Sequence, residues 1–322
     1  MTKVNIPFIY SPIYSQLELP ERHRYPIEKY RLLHDWAVRR GAQKDQWQRP
    51  VTLTWEQVAQ THCSSYIEKL KTNNFEKAEW RRIGFPWSEQ LLTRSLTSAG
   101  GTVQALQMAL SSSIAIHFSG GYHHAHRDWG SGFCLINDLA IACHQLLLKY
   151  PHLKIAVLDT DVHQGDGTAT LFQNDSRVFT CSIHGEKNFP FSKSLSDLDV
   201  PLPKGTADKS YLQALQHALS FIAKNVKPDV ILYDAGVDIY TKDELGHFHI
   251  SLNGLFQRDM TVLSFCRQND IPVAAVIGGG YQRNLERLVR GHAQLLRAAY
   301  YVYTENNFEL RSVVRSSEED EV

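Results

Sequence analysis

Short apolar runs alternate with longer amphipathic stretches along most of this chain. The runs at 114–118, 155–158, 178–183, 230–233 and 273–277 are each bounded by turn-forming residues and lack an exposed polar face. That pattern predicts buried parallel strands. Between the last runs, SYLQALQHALSFIAKNV sets Leu212, Leu215, Leu219 and Ile222 at i, i+3, i+7 and i+10, one apolar helical stripe that Pro228 ends. A further helix, NDLAIACHQLLLKY, opens on Asn137 as N-cap and closes before Pro151. NLERLVRGHAQLLRAAYYVY resumes the helical period near the C-terminus. Alternating strand and helix predicts an α/β fold with a central parallel sheet and helices on both faces. One domain is expected over residues 1–312, with 313–322 as an acidic, disordered and solvated end whose SSEEDEV begins at Ser316.

The chain has 322 residues, of which 43% are hydrophobic, enough to bury a large core without division. Lys plus Arg and Asp plus Glu balance at 34 each, so no overall basic field draws the protein to nucleic acid or an anionic membrane. The five cysteines are scattered without a C-x-x-C pair, which favours a reducing compartment over a disulfide framework. MTKVNIPFIYSPIYS has neither a charged leader nor an apolar h-region, and no window is long and apolar enough for a membrane span. A cytoplasmic protein is expected, with no membrane or nucleic-acid partner and an open oligomeric state.

The polar residues that break the apolar pattern gather where each predicted strand stops, the place where open α/β sheets bind ligands. In LDTDVHQGDGT, side chains at i, i+2 and i+4 of an extended backbone share a face, which unites Asp159, Asp161 and His163. A carboxylate and an imidazole so spaced suit a divalent ion of the zinc or iron type. YDAGVD offers Asp234 and Asp238, and Asp238, past the strand, is the better third ligand. HFSGGYHHA carries His123 and His124 as base and acid, with Asp159 and Asp166 as carboxylate partners. SGFCLIND offers Gly132 and Phe133 as an apolar wall, and IGGGYQRN presents Gly280 and Tyr281, whose phenol is an oxyanion donor. GGGY lacks the Lys and Ser/Thr of a phosphate loop, which argues against nucleotide binding.

GGYHHA, GFCLIND, DTDVHQGDG, AGVD and GGGY, in this order, resemble the signature of the zinc-dependent histone deacetylase family, from about Tyr10 to about Tyr303. RYPIEKYRLL (24–33) and HGEKNFPF (184–191) look most like its class IV branch and bacterial relatives. The resemblance implies an arginase-like sheet, one Zn2+ (Fe2+ in the cell as an option) on Asp161, His163 and Asp238, and proton transfer by His123 with Asp159 and His124 with Asp166. It implies an oxyanion role for Tyr281 and a structural K+ near Asp159, Asp161, His163, Ser182 and Ile183. The substrate expected is an acyl-lysine protein or peptide, its alkyl stem against Phe133, its acyl group acetyl or long fatty acyl, with Phe189, Phe191 and Trp129 as tunnel aromatics for a long chain. Gln164 stands where many members have His, and DELG at 243–246 replaces the commoner DRLG.

Three rival readings follow from the same residues. A two-manganese arginase site needs carboxylates at positions 165 and 236, both glycine here. Deacetylation of an acetylpolyamine calls for an acidic rim, with Glu244 as the hint. A binding module that reads acyl-lysine without cleaving it calls for a missing ligand or tyrosine, and every assigned position is filled.

Overall fold

The computed structural model describes residues 5–304. Its elements in chain order are β1 (Phe8–Ile9), α1 (Lys29–Arg39), β2 (Trp47–Gln48), α2 (Trp55–Val58), α3 (Ser64–Thr72), α4 (Lys77–Ile83), α5 (Glu89–Ser112), β3 (Ile114–His117) and α6 (Asp138–Lys149). There follow β4 (Ile155–Asp159), α7 (Asp166–Phe172), β5 (Val178–Gly185), β6 (Leu198–Leu202), α8 (Asp208–Phe221), β7 (Val230–Asp234), α9 (Leu252–Gln268), β8 (Val273–Val276) and α10 (Leu285–Tyr303). The eight strands form one sheet in the order β2-β1-β3-β8-β7-β4-β5-β6. Every pairing is parallel.

The alternation read from the sequence is thus the architecture, with helices on both faces. On one side α5 lies along β3 and β8 beside α6, and elsewhere α10 packs between α9 and α1 while α8 abuts α9. Strands β3, β4, β7 and β8 are buried at every position, which is why they read as continuous apolar runs. Asn137 does cap α6, its Oδ1 accepting from the Ala140 amide at 2.9 Å. The predicted helix before Pro228 is α8 and a final turn of π-helix, Ile222–Val226, which Lys227 stops in a left-handed conformation (φ 52°).

The longest helix, α5, has no counterpart among the sequence expectations. Its Gly100-Gly101 pair breaks the apolar period, yet both glycines are there for close approach. A Cβ at Gly100 would collide with the Val51 carbonyl, and one at Gly101 with His117 and Tyr14. Strands β1, β2 and β6 are too short or too exposed to carry a pattern.

The chain order reverses between β4 and β7: β5 and β6 are added outward from β4, β8 and then β3 outward from β7. At that switch the register pairs Asp159 with Asp234, two buried carboxylates at adjacent strand ends. Burying carboxylates costs several kcal/mol each unless something compensates, so the fold itself marks this place as a site. Among the described residues no helix is long and apolar enough to cross a membrane. The expected acidic end, 313–322, lies outside the described residues.

Candidate metal and active site

After β4 the backbone turns through Asp161 and His163, and after β7 through Asp238. Ligand atoms of these three buried side chains all lie within 4.8 Å of one another. His163 Nδ1 donates to Asp161 Oδ1 at 2.9 Å and to Asp238 Oδ2 at 3.1 Å. The remaining oxygens are fixed from behind: Asp161 Oδ2 accepts from the Gly279 amide at 3.1 Å, and Asp238 Oδ1 from the Val162 amide at 2.9 Å. Buried Arg258 donates to the Ala235 and Gly236 carbonyls and pairs with Asp259 at 2.9 Å, bracing the loop that delivers Asp238.

Charge is concentrated here. Burial and the nearby Asp161 push Asp238 up to about 7. Burial also opposes ionisation of Asp161, but His163 and His123 outweigh it and hold Asp161 well below the carboxylate range. Against burial, both carboxylates lift His163 to about 10. Two oxygens and an imidazole nitrogen converging in a buried space form a donor set for a divalent ion. Such an ion would replace the imidazole proton, since a ligand must be deprotonated to bind.

A two-ion arrangement is opposed by the packing. A Cβ at Gly165 would collide with Asp159, and one at Gly236 with Asp161, so neither position has room for a carboxylate that could bind a second ion.

Beside this cluster stand two Asp-His pairs. His123 Nδ1 donates to Asp159 Oδ2 at 2.7 Å, and His124 Nδ1 to Asp166 Oδ1 at 2.6 Å. Their Nε2 atoms are 3.2 Å apart, so one carries a proton that the other accepts. Burial disfavours charge on both, but Asp159, with Asp161 and Asp234 near it, holds His123 well above its ordinary value. Burial and that neighbouring charge push His124 down to about 4. The arrangement is one protonated and one neutral imidazole side by side. Asp234, set aside in favour of Asp238, clusters with His123 and Asp159 instead. Burial and Asp159 hold its carboxyl well above the ordinary range.

Tyr281 follows the glycines after β8, and its amide donates to Asp243 Oδ2 at 2.7 Å. Its ring lies 5.7 Å from Phe133 and 6.2 Å from His163. Burial, reinforced by Asp161 and Asp238, keeps the phenol protonated and therefore a donor.

A cavity of about 420 Å3 opens above these groups, with His124, Gly132, Phe133, His163, Phe189 and Tyr281 in its walls. A Cβ at Gly132 would press on the His124 ring, so the wall needs glycine there. Gly280 is turned away, against Val237, Leu288 and His292. Trp129 is not in the wall either and stacks on His126 at 3.8 Å. Register sets Asp159 opposite Ser182, with Ile183 next along β5.

Several residues that position the site escaped the sequence reading. Asp138 accepts from the Tyr122 amide at 2.7 Å and from Gly121 at 3.2 Å, shaping the turn before the histidines. Asn137 Nδ2 donates to the His123 and Ala125 carbonyls. Asp243 holds Tyr281, and Lys29 reaches the Gly278 carbonyl at 2.8 Å. Polar residues beside a glycine turn were the available signal for Asp138, whereas nothing local marks Lys29. Both departures in the motifs have structural work. Gln164 exchanges hydrogen bonds with the Ser194 backbone and donates to Asp199 at 2.8 Å, and Glu244 pairs with Arg283 at 3.3 Å outside the cavity. Glu244 therefore gives no acidic rim to the cavity.

Residues 23–297 match the histone deacetylase domain. An uncharacterized protein of Picosynechococcus sp. is 43% identical over 301 residues, covering 93% of this chain and 100% of that protein. Histone deacetylase clr6 of Schizosaccharomyces pombe is 31% identical over 311 residues, covering 89% of this chain and 75% of its own. Among solved structures, a histone deacetylase homologue in complex with SAHA superposes with a TM-score of 0.80 at 25% identity, covering 94% of this chain and 87% of that one. The ordered motifs, the parallel sheet with its ligand-bearing strand ends and these likenesses agree: the chain belongs to the histone deacetylase family of the arginase/deacetylase superfamily.

Proposed function

We propose that this chain is a one-metal deacylase that hydrolyses the side-chain amide of acyl-lysine in proteins or peptides. The observation that carries the reading is the convergence of Asp161, His163 and Asp238 with two Asp-His pairs and Tyr281 on one cavity. We assign the metal to those three residues and the ion to Zn2+, with Fe2+ as the alternative occupant. When bound, a divalent ion supplies Lewis acidity toward a carbonyl oxygen and acidifies water.

The chain's own residues do the rest. His123 and His124, each oriented by a carboxylate, take the proton from water and deliver one to the departing lysine amine. The Tyr281 phenol donates to the oxygen that becomes negative as the carbonyl turns tetrahedral. Phe133 and Phe189 exclude water from the lysine stem and strengthen these interactions. A structural K+ near Asp159, Asp161, His163, Ser182 and Ile183 is part of the same proposal, supported by the adjacency of those residues at two strand ends. So is membership of the class IV branch, on the segments at 24–33 and 184–191.

An inner chamber beyond the cavity, walled by Tyr25, Lys29, Tyr122, His123 and Tyr281, has only about 10 Å3. That is room for about one water, which favours acetyl over long acyl chains. The test is release of free amine from matched lysine peptides bearing acetyl, octanoyl or myristoyl groups, and from acetylpolyamines, with metal-loaded protein with and without chelator. Chelator-sensitive release, fastest from acetyl-lysine peptide, is expected. Activity confined to polyamines would move the substrate to small molecules, and silence on everything with metal bound would favour a binding module.

A further inference from the structure

The wall of the cavity carries a sign of charge that amide hydrolysis does not require. Arg82 and Lys187 stand in it beside Phe191, and none of its described lining residues is Asp or Glu. A separate surface depression holds Arg22 and Arg24 with Glu21, while its Arg283 and Glu244 pair with each other. The cavity wall is therefore cationic at Arg82 and Lys187, although the chain as a whole is neutral.

Both cationic and apolar elements of this rim are braced. Arg82 Nε donates to the Gly130 carbonyl at 3.1 Å, and its guanidinium lies 4.7 Å over the Trp129 ring. This gives Trp129 a role that the tunnel expectation did not foresee. Lys187 and Phe191 belong to the segment after β5, which Gln164 ties down at Ser194 and Asn188 ties to the Leu245 carbonyl at 2.9 Å. Lys193 closes the segment on itself through the Asn188 carbonyl. On that fixed support the Phe191 ring is 93% exposed, 6.5 Å from Phe189 at the cavity, and Leu195 nearby is 87% exposed. A large aromatic exposed to water at the mouth of a cavity, on a segment tied down at Asn188 and Ser194, offers a contact for an apolar side chain.

We infer that the substrate is a polypeptide segment with acidic or neutral residues flanking the acylated lysine and one large apolar side chain that lands on Phe191. This inference rests on the acyl-lysine reading and selects within it. A strongly basic tail or an acylated polyamine would meet like charge at Arg82 and Lys187, and like-charge juxtaposition lowers encounter and affinity alike.

The test compares kcat/KM of metal-loaded protein on two acetyl-lysine peptides, one flanked by Glu and Phe and one by Arg and Gly, and on a capped acetyl-lysine with no flanks. We expect the Glu/Phe peptide to lead the Arg/Gly peptide by about tenfold or more, with the ratio shrinking as salt rises. Within the double variant R82E/K187E the charge preference should invert, and within F191S the gain from Phe should vanish while the charge preference stays. Equal rates on the two peptides, preference for the basic one, or a ratio unmoved by R82E/K187E would overturn the inference. Hydrolysis of the capped acetyl-lysine in those cases would leave the deacylase reading standing, whereas no hydrolysis of any of the three would remove both.

Discussion

The Lys29 ammonium, only 1% exposed, donates to the Gly278 carbonyl at 2.8 Å, joining α1 to the glycine arm that ends in Tyr281. Burial lowers Lys29 to about 8, and the carboxylates of Asp238, Asp161 and Asp243 limit that fall. A buried cation thus sits behind the carboxylates that would hold the metal and tethers the residue proposed to meet the oxyanion.

Lys29→Met should leave the Gly278 carbonyl unpaired and cost about 1–3 kcal/mol of stability, read from denaturant unfolding. Its kcat should fall beyond what lost folded protein explains, because the arm carrying Tyr281 loosens, and Lys29→Arg should recover part of it. A Lys29→Met kcat within about twofold of the parent would reduce the contact to a structural one.

Tyr281→Phe keeps the ring and removes the donor. Turnover should drop by about 100- to 1000-fold with KM little changed and metal content intact. Near-parental turnover in the metal-loaded variant would strip Tyr281 of its oxyanion role.

Gly236→Ala forces a methyl into the Asp161 carboxylate. We expect weaker metal binding, by about tenfold or more in a competition titration, with far-UV circular dichroism unchanged. Parental affinity would mean that the strand-end loop relaxes and that glycine is not needed there.

Acid sensitivity should come partly from His62, far from the metal ligands in sequence. Its Nδ1 donates to the His126 carbonyl at 2.8 Å, while Nε2 accepts from the Asn137 amide at 3.0 Å. Burial lowers its pKa from 6.5 to about 4, so between those values the unfolded chain binds the extra proton and the folded chain does not. The contribution is complete above 6.5, is lost as pH falls towards 4, and amounts to about 3 kcal/mol. Urea unfolding of the parent and His62→Gln across that window should show a steeper pH slope in the parent. Equal slopes would assign the acid lability elsewhere.

Local pattern was enough to identify the five central strands, the N-cap of α6, the apolar stripe of α8, and the groups at strand ends. Period-two spacing placed Asp159, Asp161 and His163 on one strand face. In the fold β4 ends at Asp159 and the backbone bends through Asp161 to His163, so Asp159 joins His123 and Asp234 while Asp161 and His163 join Asp238. Tertiary structure alone decided what meets them. Asp238, past the strand, was legible in YDAGVD as the better ligand, but that Asp234 joins His123 and Asp159 instead follows from the β4–β7 register. Lys29, Asp243 and Gln164 act on residues that are distant in the chain or in other elements, so no spacing reveals them. The glycines of α5 admit Val51 and His117 into close contact, a reason for glycine that no local pattern carries. Sequence thus determined which chemistry the strand ends carry, through short-range stereochemistry. Packing decided which charges face one another and which face the substrate, because Coulombic and hydrogen-bond energies depend on distances that only the folded chain sets.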